Sequence, residues 1–201
     1  MSAEEYSMPE TEASKEYIDF FVEELKSVYW AEKHFLKIFP KMHKAATGKV
    51  LKQSFEHLSP RASLQLERLE QVFELLGETP KAKKNLVIED LLDDLRVIPD
   101  ETEKGSDDRD TTMVLAAQKI ASYEIANYAN LVKWAQKSGN EDIISLLEEA
   151  LSEAEETLET FSSVSEWDQG TKGNTAKEMK DDEKIIAEYD SVNLTGKNKR
   201  P

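Results

Sequence analysis

Residues 16–42 read EYIDFFVEELKSVYWAEKHFLKIFPKM. Apolar side chains recur in this stretch at intervals of three and four residues, which places them on one face of an α-helix. The same face also contains one carboxylate, Glu32. The stretch therefore predicts a long amphipathic helix, from about Ser14 to Ala46, that buries an acidic side chain with its apolar ones. The apolar members of this face are Phe21, Leu25, Val28, Phe35 or Leu36, and Phe39.

Three more stretches have the same helical periodicity, at residues 49–76, 110–137 and 141–165, and a shorter one covers residues 86–98 and is closed by Pro99. We expect a kink at Pro40 and an interruption at Ser59-Pro60, since proline removes a backbone donor. The four long helices predict an all-α, antiparallel four-helix bundle with a short crossover helix between helices 2 and 3. Ferritin-like bundles include this arrangement.

The inner faces of the later helices differ in their polarity. The face of the 110–137 helix contains Glu124 among apolar residues, whereas the inner face of the last helix has Ala154 and no acid. The bundle core is therefore predicted to contain two carboxylates, Glu32 and Glu124.

Length and composition limit the domain count and the compartment. A chain of 201 residues fits one core, which we place at residues 14–166, between a flexible lead at 1–13 and a mobile polar tail at 167–201. The absence of cysteine and the acidic N-terminal segment predict a cytoplasmic protein without disulfides. Any metal would need carboxylate, histidine or water ligands.

The charge balance argues against two classes of partner. The formal net charge is −15, which opposes binding to the phosphates of nucleic acids and to anionic membrane surfaces. No apolar stretch reaches the roughly 20 residues that a membrane-spanning helix needs. We therefore expect neither a nucleic-acid partner nor a membrane.

Several motifs in order along the chain resemble one family. They are ELKSVYWAEK at residues 24–33, RLEQVF at 68–73, AAQK at 116–119 and YEIA at 123–126. Together they are similar to the YciF-type stress proteins, a ferritin-like family. The resemblance implies a four-helix bundle, a homodimer, stress-induced expression, and a di-metal carboxylate site whose reaction is not established.

The family's metal site is only partly present in this chain. Glu32 and Glu124 match two of its acids, but Ala121 and Ser122 stand where similar proteins have a Glu-His pair, and Ala154 breaks the acidic run of the last helix. Helix 2 reads Ser-Pro-Arg-Ala-Ser at residues 59–63, where a full site has an acid and His or Thr. Di-iron and di-manganese bundles use a Glu-x-x-His from each of two helices, and this chain contains none. We expect no metal, or weakly bound iron or manganese.

Two interpretations of the buried acids remain. In the first, Glu32 and Glu124 bind a metal. In the second, they are protonated or paired with Gln65, Arg61 or a tyrosine hydroxyl. The second is favoured because an unpaired buried charge is costly.

Further ligands would need a change of helix orientation. Glu149 and Glu153 could complete a site only if the last helix were rotated, and they are otherwise expected on its solvated face. His57 could contribute only if a kink at Pro60 turned it inward.

These patterns support three hypotheses about function. The first is a stress-associated homodimer with a degenerate di-metal site, acting as a non-catalytic structural or protective factor. The second is an iron- or manganese-dependent oxidase or peroxide-detoxifying protein. The third is a cargo or adaptor protein that docks on a protein partner through the tail after Trp167.

Overall fold

A computed structural model describes residues 12–170, with side chains from residue 16 to residue 164. Over residues 12–170 the chain forms five helices and no strand. All side chains discussed below lie in the first compact unit of the chain, which ends at Val164. The helices are α1 Glu12–Ala45, α2 Lys49–Leu75, α3 Leu86–Glu101, α4 Asp107–Ser138 and α5 Glu141–Gly170.

The predicted helices are confirmed, but two predictions about proline were wrong. Helix α2 continues through Pro60 without interruption, and α3 extends beyond Pro99 to Glu101. Pro60 is exposed, while Leu58 and Ala62 on either side of it are buried. Packing of these neighbours therefore keeps the helix intact despite one missing backbone donor.

The inner faces predicted from periodicity form the core. Glu32 and Glu124 are buried with the apolar residues of their own helices, as expected from their positions on the helical face. Phe55 of α2 and Phe161 of α5 pack with ring centroids 5.1 Å apart, which brings these two helices together. Leu86, which begins the apolar pattern of the crossover helix α3, is instead 67% exposed.

Side-chain hydrogen bonds stabilise the connections between the helices. Asn85 caps α3 and Ser106 caps α4, each accepting a hydrogen bond from a backbone amide of the first turn. Asp110 accepts hydrogen bonds from the amides of Thr47 and Gly48, so α4 holds the turn between α1 and α2.

Other sequence predictions concern the ends of the chain. Helix α5 ends at Gly170, five residues later than expected, and residues 1–11 and 171–201, which include most of the proposed docking tail, lie outside the described residues. Among the helices described, none combines the length and the apolar character needed to cross a bilayer.

Candidate functional site

The two predicted core carboxylates meet between α1 and α4. Glu32 is completely buried and Glu124 is 9% exposed, and their carboxyl groups are in hydrogen-bonding contact. Helical spacing places each acid in an apolar row, so burial of the row buries the acid. The structure thus brings together the pair that the sequence singled out.

Tyr128 supplies a hydrogen bond to this pair. It lies one helical turn after Glu124 on α4, and its hydroxyl donates to Oε1 of Glu32 at 2.8 Å. Burial raises the pKa of the Tyr128 phenol well above its ordinary value, and the neighbouring Glu32 and Glu124 charges raise it further. The phenol therefore remains a proton donor, and the expected tyrosine partner for a buried acid is present.

A proton is needed between the two carboxyl groups. Oε2 of Glu32 is buried and has no N–H or O–H donor among the described side chains. Burial raises the pKa of Glu32 to about 7, and burial together with the Glu32 charge raises the pKa of Glu124 well above its ordinary value. A proton on Glu124 therefore completes the hydrogen bonding of Glu32, since a protonated carboxyl donates where an ionised one cannot.

A third carboxylate, Glu153, reaches this region from α5 and binds Arg68 of α2. The guanidinium contacts both carboxylate oxygens, with Nη1 to Oε2 at 2.8 Å and Nη2 to Oε1 at 2.7 Å. Gln65 also donates to Glu153 Oε2 at 3.1 Å. This two-point contact is the strong geometry for an arginine–carboxylate pair, and it raises the pKa of Arg68.

Arg61 forms a second contact between α2 and α5. Its Nη1 donates to the backbone oxygen of Glu153 at 2.6 Å and to Oγ1 of Thr157 at 2.7 Å, and its Nη2 binds Glu156 at 2.9 Å. The positive charge of Arg61 opposes the rise in the pKa of Glu124. The two arginines thus lie on the α2 side of a group of four acids, Glu32, Glu124, Glu149 and Glu153, which we call the acidic cluster.

The remaining candidate ligands are more exposed to solvent than Glu32 and Glu124. The Glu149 side chain is 54% exposed and lies 3.3 Å from Nε of Arg68, which agrees with a solvated position. Glu153 was predicted on the solvated face, but its side chain is only 22% exposed, because Arg68 draws it inward. His57 is exposed, so α2 does not turn it toward the core.

These residues do not fit a di-iron or di-manganese centre. Such centres use four glutamates and two histidines from four helices. Among residues whose side chains are described, no group of three or more His, Asp or Glu side chains is arranged to hold a metal ion. Glu153 is bound by a guanidinium, and the Glu32–Glu124 pair requires a proton.

Arg68, which contacts both Glu153 and Glu149, was not predicted from the sequence as a site residue. A signal was nevertheless present, because Arg61, Gln65 and Arg68 are spaced four and three residues apart and so share one face of α2. That polar face lies beside the apolar one. Only the position of α5 shows that it is opposite Glu153.

Comparison with known proteins places this fold and these motifs in a family. A family model described as a domain of unknown function, DUF892, matches residues 16–176. Protein YciF of Escherichia coli strain K12 is 32% identical over 140 residues, which are 69% of this chain and 84% of YciF.

Two solved structures have the same architecture. The crystal structure of the E. coli stress protein YciF aligns with a TM-score of 0.74 and 29% identity, covering 78% of this chain and 98% of that one. YcfI of Rhodopseudomonas palustris, described as a candidate structural protein, aligns with a TM-score of 0.68 and 27% identity, covering 81% and 98%. The chain therefore belongs to the YciF-type DUF892 family of helical bundle proteins.

Proposed function

We propose that this protein is a stress-associated, non-catalytic structural or protective factor of the cytoplasm, built on a ferritin-like bundle whose di-metal site has degenerated. The name of E. coli YciF as a stress protein and the structural role suggested for YcfI support the first part. The chemistry of the core supports the second part.

The proposal rests on one observation: other side chains of the protein already bind the core carboxylates. Tyr128 donates to Glu32, and Arg68 binds both oxygens of Glu153. Carboxylates that have such partners avoid most of the cost of burial without a metal ion. The bundle can thus be stable without a metal cofactor.

A complementation experiment tests the absence of catalysis. Cells lacking the protein would be given either the wild-type chain or Glu32→Gln/Glu124→Gln, and their survival of oxidative and osmotic stress would be compared. Glutamine keeps the size and hydrogen bonding of each side chain but is a poor metal ligand. Equal survival with both chains supports the proposal, and survival restored only by the wild type contradicts it.

Metal content provides the matching biochemical measurement. Untagged protein from cells supplied with iron, manganese and zinc would be analysed by elemental mass spectrometry, beside a Glu32→Ala/Glu124→Ala control. Wild-type protein with far less than one metal ion per chain supports the proposal. Near-stoichiometric iron or manganese that the control lacks would favour the enzyme instead.

The second candidate function is a metal-dependent oxidase or peroxide-detoxifying enzyme. It is favoured by one observation, the contact between Glu32 and Glu124 inside the bundle. In this alternative the two acids would lose their shared proton and bind iron or manganese, and Glu149, Glu153 or His57 would have to move to complete the ligand set. Oxygen or peroxide consumption by metal-loaded protein would support it.

The proposal includes a homodimer formed by the α1–α2 hairpin. Phe20 on α1 and Leu64 and Leu75 on α2 are 66%, 46% and 43% exposed, although large apolar side chains are usually buried. Most soluble homo-oligomers are two-fold symmetric, so exposed apolar side chains on both helices of one hairpin suit contact with a second copy.

A further inference from the structure

We propose that Arg68, assisted by Arg61, acts as a built-in cation that takes the electrostatic place of a metal ion in the core and keeps divalent ions out. This inference rests on the proposed loss of the metal site and adds the cause of that loss. It concerns the acidic cluster defined by Glu32, Glu124, Glu149 and Glu153.

The contacts of Arg68 with this cluster satisfy what a metal ion would otherwise have to supply. Its Nη atoms bind both oxygens of Glu153, its Nε lies 3.3 Å from Glu149, and its charge acts on Tyr128, the donor to Glu32. One guanidinium thus contacts two carboxylates of α5, and its charge also reaches Tyr128, the donor to Glu32. The side chains of Arg68 and Glu153 are only 16% and 22% exposed, so solvent screens the contact between them weakly.

Arg61 covers the neighbouring part of the cluster. Its Nη1 is fixed by the backbone oxygen of Glu153 and by Thr157, so that its charge remains close to Glu124. Arg61 also binds Glu156, so the two guanidinium groups offset part of the negative charge of the cluster and of Glu156. The cluster therefore attracts a cation less strongly than unpaired carboxylates would.

A guanidinium differs from a metal ion in two ways that matter here. It stays charged under all physiological conditions and is covalently attached to the chain, so it is present at a high and constant local concentration. An incoming divalent ion must also displace a bidentate Arg–carboxylate pair, in addition to losing its own water. Both costs disfavour metal binding by this chain.

The inference predicts that removal of the guanidinium opens a metal site. Arg68→Met keeps an unbranched apolar stem while removing the charge and the donors. Mn²⁺ binding to the full-length variant, measured by the loss of the free Mn²⁺ electron paramagnetic resonance signal, should be at least about tenfold tighter than to the wild type. Adding Glu153→Gln to Arg68→Met should abolish the gain.

The control is Arg96→Met on α3. It removes the same charge from an arginine that is 47% exposed and pairs with Asp93, away from the cluster. Any general effect of a more negative protein on Mn²⁺ binding will therefore appear in this control. If Arg68→Met does not fold by circular dichroism, Arg68→Gln is a second test variant that also removes the positive charge but keeps a polar side chain.

The outcomes separate this inference from the proposed function. If a folded Arg68 variant binds Mn²⁺ no more tightly than Arg96→Met, the built-in cation inference is overturned while a metal-free structural role stands. If the wild type itself binds one or two Mn²⁺ ions per chain, the proposed function fails together with the inference. Tighter binding by the Arg68 variant, reversed by Glu153→Gln, supports both.

Discussion

A carboxyl group inside a helical bundle can take up a proton, accept hydrogen bonds or bind a cation, and each lowers the cost of burial. The described core contains an example of each. Burial raises the pKa of Glu124 and so favours its protonated form beside Glu32, Glu32 accepts a hydrogen bond from Tyr128, and Glu153 binds Arg68. At the scale of single residues, these choices decide how stability depends on pH and on substitution.

The proton between Glu32 and Glu124 makes stability depend on pH. The pKa of Glu32 rises from 4.5 to about 7 on folding, and that of Glu124 rises well above 4.5. Between the unfolded and folded pKa values the native state binds more protons than the unfolded state, so the free energy of unfolding should decrease as pH rises from about 4.5 to 7. At lower pH the two states are equally protonated at these sites.

Glu124→Gln should reduce this pH dependence and stabilise the protein at pH 8 by about 1 kcal/mol. The amide donates to Glu32 without a titrating proton. Urea unfolding at pH 5.5 and pH 8 measures the effect, and Glu149→Gln, at a 54% exposed side chain, is the control for the loss of one negative charge. A large loss of stability at pH 8 would contradict this prediction, because it would mean that ionised Glu124 has a cationic partner.

Tyr128→Phe removes the hydroxyl that donates to Glu32. The substitution should lower the free energy of unfolding by about 1–3 kcal/mol, the usual cost of leaving a buried acceptor without its donor. Tyr29→Phe is the matched control, since the Tyr29 hydroxyl donates to the exposed Glu70 at 2.6 Å and its loss should cost less than about 1 kcal/mol. Equal costs for both substitutions would show that the Tyr128 contact has no special weight.

At the scale of helices, long polar side chains of α2 make many of its contacts with α5. Arg61, Gln65 and Arg68 on one face of α2 reach acceptors on α5, while Phe55 and Phe161 pack beside them. Long arginine side chains with planar heads can make such contacts across a wider helix spacing than leucines can. The polar face of α2 therefore determines how α5 is attached.

The start of α2 depends on a side chain from α4. Gly48, the N-cap of α2, has no side chain to cap the helix, and Asp110 instead accepts from the Thr47 and Gly48 amides at 2.8 and 2.6 Å. Asp110→Ala should therefore lower the free energy of unfolding by about 1 kcal/mol. Chemical denaturation would measure it against Asp108→Ala, an exposed acid in the same first turn of α4. Similar losses in both would refute a role for Asp110 in the turn.

At the scale of the whole molecule, the proposed dimer must join two chains that each have a formal charge of −15. Repulsion between them opposes association, and salt screens it, so the dimer should become tighter as ionic strength rises from low values. Apolar contacts through the α1–α2 hairpin would supply the attraction. A dimer that salt weakens would instead indicate an interface dominated by ion pairs.

The hairpin interface can be tested by polar substitution. Phe20→Ser and Leu64→Ser should shift the protein from dimer to monomer in light scattering coupled to size-exclusion chromatography. Leu115→Ser on α4 is the control, because Leu115 is 51% exposed but lies outside the hairpin. A wild-type monomer, or a dimer disrupted only by Leu115→Ser, would contradict the proposed surface.

The sequence by itself determined the helices, their order and the residues that face the core. Helical periodicity is a local property, so burial of the apolar row in α1 was enough to predict that Glu32 is buried, and the same holds for Glu124 in α4. Local rules failed at Pro60, where packing of the neighbouring residues outweighs the missing donor. The motifs also identified the family correctly.

Only the tertiary structure decided which polar groups meet. The pairing of Arg68 with Glu153 depends on the rotation of α5 and on its height along α2, and neither follows from the pattern of one helix. The reach of a long side chain adds to this, since Arg68 draws a partly solvated acid inward. Periodicity fixes the face of each helix, whereas the relative placement of faces depends on contacts among all the helices at once.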